Sequence, residues 1–79
     1  MSLILHVLTP EKTLFEGTSE SIQFPGKDGV FQILKNHAPL MASLTQGNII
    51  VNTGQNNQNI SIEGGIVEVS NNKVTVLAR

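Results

Sequence analysis

Apolar positions in this chain recur at a spacing of two, many of them are β-branched, and no window keeps apolar residues at helical spacing for three turns. The pattern predicts an all-β chain. Residues 3–9 read as a first strand, apolar on both sides apart from His6. Thr9-Pro10-Glu11-Lys12 then reads as a turn with Pro in a favoured position, and residues 13–16 as extended chain closed by Gly17. Residues 19–24 alternate, with Ile22 and Phe24 on one face and Ser21 and Gln23 on the other. Pro25-Gly26-Lys27-Asp28-Gly29 is expected to break the pairing as a polar tip. Residues 29–34 resume with Phe31 and Ile33 opposite Val30, Gln32 and Leu34.

Asn36-His37-Ala38-Pro39-Leu40 follows as a shaped bend, because Pro39 holds Ala38 extended and removes a backbone donor. Residues 41–44 read as extended, with a turn at 45–47. Residues 48–52 and 58–62 bracket the polar stretch Thr53-Gly54-Gln55-Asn56-Asn57 and read as a hairpin, its Asn-rich composition belonging to a solvated tip. Gly64-Gly65 signals tight turning or close backbone approach. Residues 66–70 and 73–77 bracket Asn71-Asn72, and Asn is the residue other than Gly that best tolerates positive φ in a two-residue hairpin turn.

Nine or ten short strands cannot bury both faces of one open sheet, so the expected architecture is a two-sheet β-sandwich, or flattened barrel, in a single domain spanning residues 1–79. Burying an Ile, Leu, Val or Phe contributes roughly 1.5–3 kcal/mol. Phe24, Phe31, Ile33, Leu44, Ile49, Val51, Ile62, Val67, Val69 and Val76 are the residues expected to offset the ordering entropy of the chain. With 79 residues and no Cys, the domain has neither disulfides nor thiolate metal sites to assist that core.

Composition narrows the function classes. Five Lys plus Arg against six Asp plus Glu give a net charge of -1, the cations are scattered, and there are three Phe with neither Trp nor Tyr. A nucleic-acid surface would need clustered cations and stacking aromatics, so none is expected. The apolar stretch at residues 3–8 is too short to span a bilayer and lacks the flanks of a leader, so the expectation is a soluble, unprocessed chain that meets a membrane through protein partners.

His6 and His37 are the chain's two imidazoles, but no zinc spacing, His-Glu-x-x-His run or Asp-rich calcium loop accompanies them, so no metal is expected. No carboxylate pair, nucleophile elbow or Ser-His-Asp ordering stands out, so no catalytic residue, cofactor site or small-molecule substrate is assigned. For His37 two roles are compatible: its ring pins the bend by bonding the backbone, or the bend touches a partner. Lys27, between Gly26 and Asp28, lacks the Ser or Thr and the helix of a phosphate loop, and reads as part of a solvated tip. The residues alone leave three classes open: a noncatalytic adaptor, a carrier domain with a modified lysine such as lipoyl or biotinyl, and a β-sandwich that binds protein or carbohydrate.

Ordered landmarks choose among them. Thr9-Pro10-Glu11-Lys12, the Phe15 to Gly17 step, Pro25-Gly26 with Gly29, His37-Ala38-Pro39-Leu40, Gly47, Gly64-Gly65 with Glu68-Val69, and the ending from Val74 to Ala78 together resemble the N-terminal β-domain of the epsilon subunit of F-type ATP synthases. The resemblance runs from about Leu3 to Ala78. It implies a noncatalytic rotor subunit of a proton- or sodium-driven complex, bound to the gamma subunit through an open sheet face and standing on the c ring. It also implies a peripheral membrane location on the cytoplasmic face of the bacterial inner membrane. Residues 26–40 are then expected on the c-ring side, with Asp28, Val30, Asn36, His37 and Pro39 as contact candidates. Family members often carry an acidic residue where Val30 stands, so a charge-based contact there is not carried over. Many members continue into two C-terminal helices that regulate hydrolysis. This sequence stops at Arg79, and if that is its natural length, regulation by those helices is expected to be absent.

Overall fold

The computed structural model describes residues 2–79. Among them are nine strands and no helix: β1 (Leu3–Leu8), β2 (Thr13–Ser19), β3 (Ser21–Gly26), β4 (Gly29–Leu34), β5 (Leu40–Leu44), β6 (Gly47–Asn52), β7 (Asn57–Ile62), β8 (Gly65–Ser70) and β9 (Lys73–Ala78). They form one sheet folded back on itself. One half runs β2-β1-β9-β8-β5 and the other β4-β3-β6-β7, with β1 and β9 the parallel pair in an otherwise antiparallel arrangement. The expected sandwich of nine or ten strands is therefore present with nine.

The two halves join where β3 meets β5. Gly26 pairs with Leu44, flanked by Lys27 N–H to Ser43 O at 3.0 Å and Thr45 N–H to Pro25 O at 2.8 Å. Between the halves lie Leu3, Leu5, Val7, Ile22, Phe24, Ile33, Leu44, Ile49, Val51, Ile60, Ile62, Val67, Val69, Val74, Val76 and Ala78. Alternation supplies most of this layer, since strands such as β1, β8 and β9 turn every second residue inward, whereas β3 is buried almost throughout and β2 adds no residue to it.

Three expectations need correction. Gly17 does not end the second strand, because β2 continues to Ser19 with Gly17 paired to Leu5. Pro25 and Gly26 stay in the ladder opposite Val30 and Gly29, which shortens the polar tip to Lys27-Asp28; Pro25 is tolerated because its carbonyl, not an N–H, makes the bond to Thr45. Ser21, on the opposite face of β3 from Ile22 and Phe24, is buried as well. Phe31 is half-buried, stacked on Phe24 at 5.5 Å with its outer side open, because β4 is an edge strand bonded to β3 alone.

The Asn71-Asn72 hairpin forms as the pattern predicts, with φ of 52° and 62°. Gly65 explains the double glycine: at φ +147° a Cβ there would run into Leu77 O and come within 3.0 Å of the Ala78 Cα on β9. Gly29 has a similar φ of +127°, but a Cβ on it would meet open space.

These two glycines separate backbone strain from collision. Gly29→Ala is expected to cost on the order of 1–3 kcal/mol, for conformational strain alone. Gly65→Ala carries the same strain plus a clash with β9, and its urea midpoint should fall clearly below that of Gly29→Ala; equal midpoints would contradict the close approach.

Candidate functional site

The strand register sorts the connections into two ends. Those at 19–20, 35–39, 53–56 and 71–72 lie at one end, and those at 9–12, 27–28, 45–46 and 63–64 at the other. Asp28 therefore sits at the opposite end of β4 from Asn36 and His37. Six residues at about 3.3 Å each span roughly 20 Å, so these candidates do not form one loop patch. They lie instead along one edge: Asp28 at the tip, Val30 (68% exposed) and Leu34 (53%) facing outward from β4, and Asn36 and His37 just past its end. Pro39 departs from this group. It lies beside Met41 and Glu68, at the margin of the other half of the sandwich.

The bend is shaped by Asn36. His37 N–H donates to Leu34 O at 3.2 Å, closing a β-turn whose third residue, Asn36, has φ 65°. That position requires positive φ, which Asn tolerates. His37 Nδ1 lies 2.6 Å from Ala38 O, so its ring does bond the backbone, but only that of the next residue. The tie to the rest of the fold comes from elsewhere: Asn36 N–H donates to Asn72 Oδ1 at 2.5 Å, and Asn72 Nδ2 donates to Asn36 Oδ1 at 3.3 Å. Sequence reasoning assigned Asn72 only a turn, and a partner 36 positions away leaves no local signal.

A second surface lies on the outer face of the β2-β1-β9-β8-β5 half. Ile66 pairs with Leu77, Leu77 with the half-buried Leu8, and Met41 lies one row away opposite Glu68. Met41 is 66% exposed, Leu77 60% and Ile66 47%. With Glu68 and Thr75 they line one shallow groove. The stripe has polar borders: His6 Nε2 stands 3.7 Å from Glu16 Oε2 on one side, and a cleft containing Lys27, Glu63 and Arg79 adjoins Ile66 and Leu77 on the other. Aliphatic side chains presented together inside a polar rim have the makeup of a protein interface. Among the described residues no group of three or more His, Asp or Glu is placed to hold a metal ion.

A sequence model of the ATP synthase delta/epsilon chain β-sandwich domain matches residues 2–79. The chain belongs to that family. It is 45% identical over 75 residues to an ATP synthase epsilon chain of Leptospira borgpetersenii, covering 95% of this chain and 59% of the relative. It is 43% identical over 74 residues to one of Chlorobium limicola, covering 92% and 84%. The chain thus spans about three fifths of the Leptospira relative's length. The fold matches a chain in the Euglena gracilis mitochondrial ATP synthase OSCP/F1/c-ring structure with a TM-score of 0.90, at 19% identity, covering 98% of this chain and 50% of that one. It matches another in the central stalk/c-ring structure from Tetrahymena thermophila with a TM-score of 0.77, also at 19% identity.

In this family member the exposed His37 ring contributes little to the fold. His37→Ala should change the unfolding free energy by no more than about 0.5 kcal/mol. A larger loss in urea denaturation would show that the ring, rather than Asn36, pins the bend.

Proposed function

We propose that this domain is a noncatalytic central-stalk subunit of a proton- or sodium-driven F-type ATP synthase, linking the gamma subunit to the c ring and turning with both. The observation that carries the reading is the family match over residues 2–79, joined to 45% identity with an epsilon chain. The geometry supports it because a rotor adaptor requires a stiff body with two separate grips. The Met41-Ile66-Leu77 face is the grip for gamma: it is the apolar face of an otherwise polar outer sheet, and its burial supplies the hydrophobic part of an interface. The β4 edge, with Asp28, Val30, Asn36 and His37, is the grip for the c ring, and Pro39 lies at the corner between the two.

On this reading the chain performs no reaction by itself, binds no cofactor or nucleic acid, and reaches the membrane through its partners. In a bacterial cell that location is the cytoplasmic face of the inner membrane. A carrier role for Lys27 has one point in its favour, the position at a two-residue hairpin tip, but its neighbours Gly26 and Asp28 do not resemble a carrier lysine's, and the family match names another fold role.

Calorimetric titration of the purified chain with the gamma subunit tests the proposal. Met41→Asp together with Leu77→Asp should weaken binding at least about tenfold, since each places a charge in an apolar contact, with the circular dichroism spectrum unchanged. Gln55→Ala should leave binding intact. Failure of the unaltered chain to bind gamma, or a lipoyl or biotinyl adduct on Lys27 in its intact mass, would overturn the assignment.

A further inference from the structure

The 35–39 bend is exposed throughout, and the hydrogen bonds it makes within itself, His37 N–H to Leu34 O and His37 Nδ1 to Ala38 O, do not fix it to the sandwich. Pro39 has no N–H to offer. Among the described residues, the hydrogen bonds from this bend to the body of the fold are the two that run to the Asn72 side chain.

The geometry of that couple is specific. Asn36 and Asn72 both hold positive φ, 65° and 62°, and each sits on a turn at the same end of the sandwich. The Asn36 backbone N–H is a donor only, so the atom facing it must be the Asn72 carbonyl oxygen, which leaves the Asn72 NH₂ to meet Asn36 Oδ1. Meanwhile the Asn72 main-chain carbonyl accepts Ile4 N–H at 2.9 Å. One residue thus joins three parts of the chain: the start of β1, the β8–β9 hairpin and the bend after β4.

We propose that Asn72 is a positioning residue: through its side-chain amide it holds Asn36-His37-Ala38-Pro39 in one preformed shape and so sets the affinity of that bend for the c ring. The proposal rests on the rotor reading for the identity of the partner, but the tether itself does not. A bend held before contact loses less conformational freedom on docking, and the benefit appears in the complex rather than in the stability of the fold. Asn72 is suited to this because its removal need not disturb the hairpin. Glycine adopts the same positive φ and keeps the main-chain carbonyl that Ile4 uses.

The experiment compares Asn72→Gly and Asn72→Asp with the unaltered full chain. Two readouts are taken: backbone amide exchange of the free protein by NMR, and affinity of the chain–gamma complex for detergent-solubilised c ring. Asn72→Gly should lower the urea midpoint only slightly, with the chain still fully folded, speed exchange at Asn36 about fivefold or more, the weight of one net hydrogen bond, and weaken c-ring binding several-fold. Asn72→Asp retains an oxygen acceptor and should restore most of the protection at Asn36. Unchanged exchange at Asn36 in Asn72→Gly overturns the tether. Faster exchange with unchanged c-ring affinity overturns the positioning role. Failure of the unaltered complex to bind c ring at all overturns the partner assignment and with it the affinity claim, while the exchange result stands on its own.

Discussion

The junction at Gly26 and Leu44 is the constraint on which the rest of the architecture depends. A nine-stranded sheet becomes a sandwich only if it folds across itself, and here the crossing is made by one residue pair with a hydrogen bond on either side. The site must be glycine, because a Cβ on residue 26 would strike Gly29 O and lie 2.8 Å from the Phe31 ring. That proximity is what allows β4 to stay tight on β3 while β3 also reaches β5. Phe24 and Phe31 stack beside the junction, so the largest buried side chain and a half-buried ring packed on it brace that place.

Once the sheet is closed in this way, the outer faces are free to carry something other than stability. Sixteen apolar side chains are buried between the halves, and among the described residues the exposed large aliphatic side chains form two groups, with Ile4 standing apart between Thr18 and Lys73. Met41, Ile66 and Leu77 adjoin one another across β5, β8 and β9, and Val30 and Leu34 share the outer side of β4. Neither set contributes to the core, and an unpartnered β4 edge exposes backbone donors and acceptors as well. A chain with few charges and a net charge of -1 gains nothing in solubility from such surfaces. Their grouping on the two halves fits a body held by one partner on each half.

How far the sequence reveals this depends on the range of the interaction. Period-two alternation marks most of the strands, and Asn71-Asn72 marks its own hairpin, because both signals are local; β1, apolar on both sides, and β2, legible only as extended chain, lack that period. Gly64-Gly65 foretold close approach without saying to what; the answer, β9, lies across a strand pairing. Pro25 and Gly26 have the composition of loop residues, so the pattern widens the tip beyond Lys27-Asp28, and only the ladder with Val30 and Gly29 narrows it. Phe31 alternates as a core residue does, yet burial also depends on whether a neighbouring strand covers it, and alternation says nothing about edges. The Asn36–Asn72 couple was invisible for a different reason: two polar residues in separate turns give no periodic signal. The five candidate contact residues come from one stretch of sequence, 26–40, that the family resemblance points to, and the fold distributes them along β4 and around its end.

The path that force would take through the molecule follows from these placements. Under the proposed rotor assignment, load entering at the β4 edge passes to β3 through a ladder running from Ser21–Leu34 to Gly26–Gly29, and load leaving toward gamma does so from β5, β8 and β9. Between the two, apart from the covalent connections, the hydrogen-bonded route is the Gly26–Leu44 junction, which has few hydrogen bonds to share the strain. The interior must therefore carry most of it, and a close-packed layer is suited to that because it yields little to compression. The Asn72 tie adds a second route at the far end, from the bend after β4 to the β8–β9 hairpin, bypassing the junction entirely. A sandwich closed at one end by backbone pairing and at the other by a side-chain couple resists twisting of one half against the other better than either link does alone.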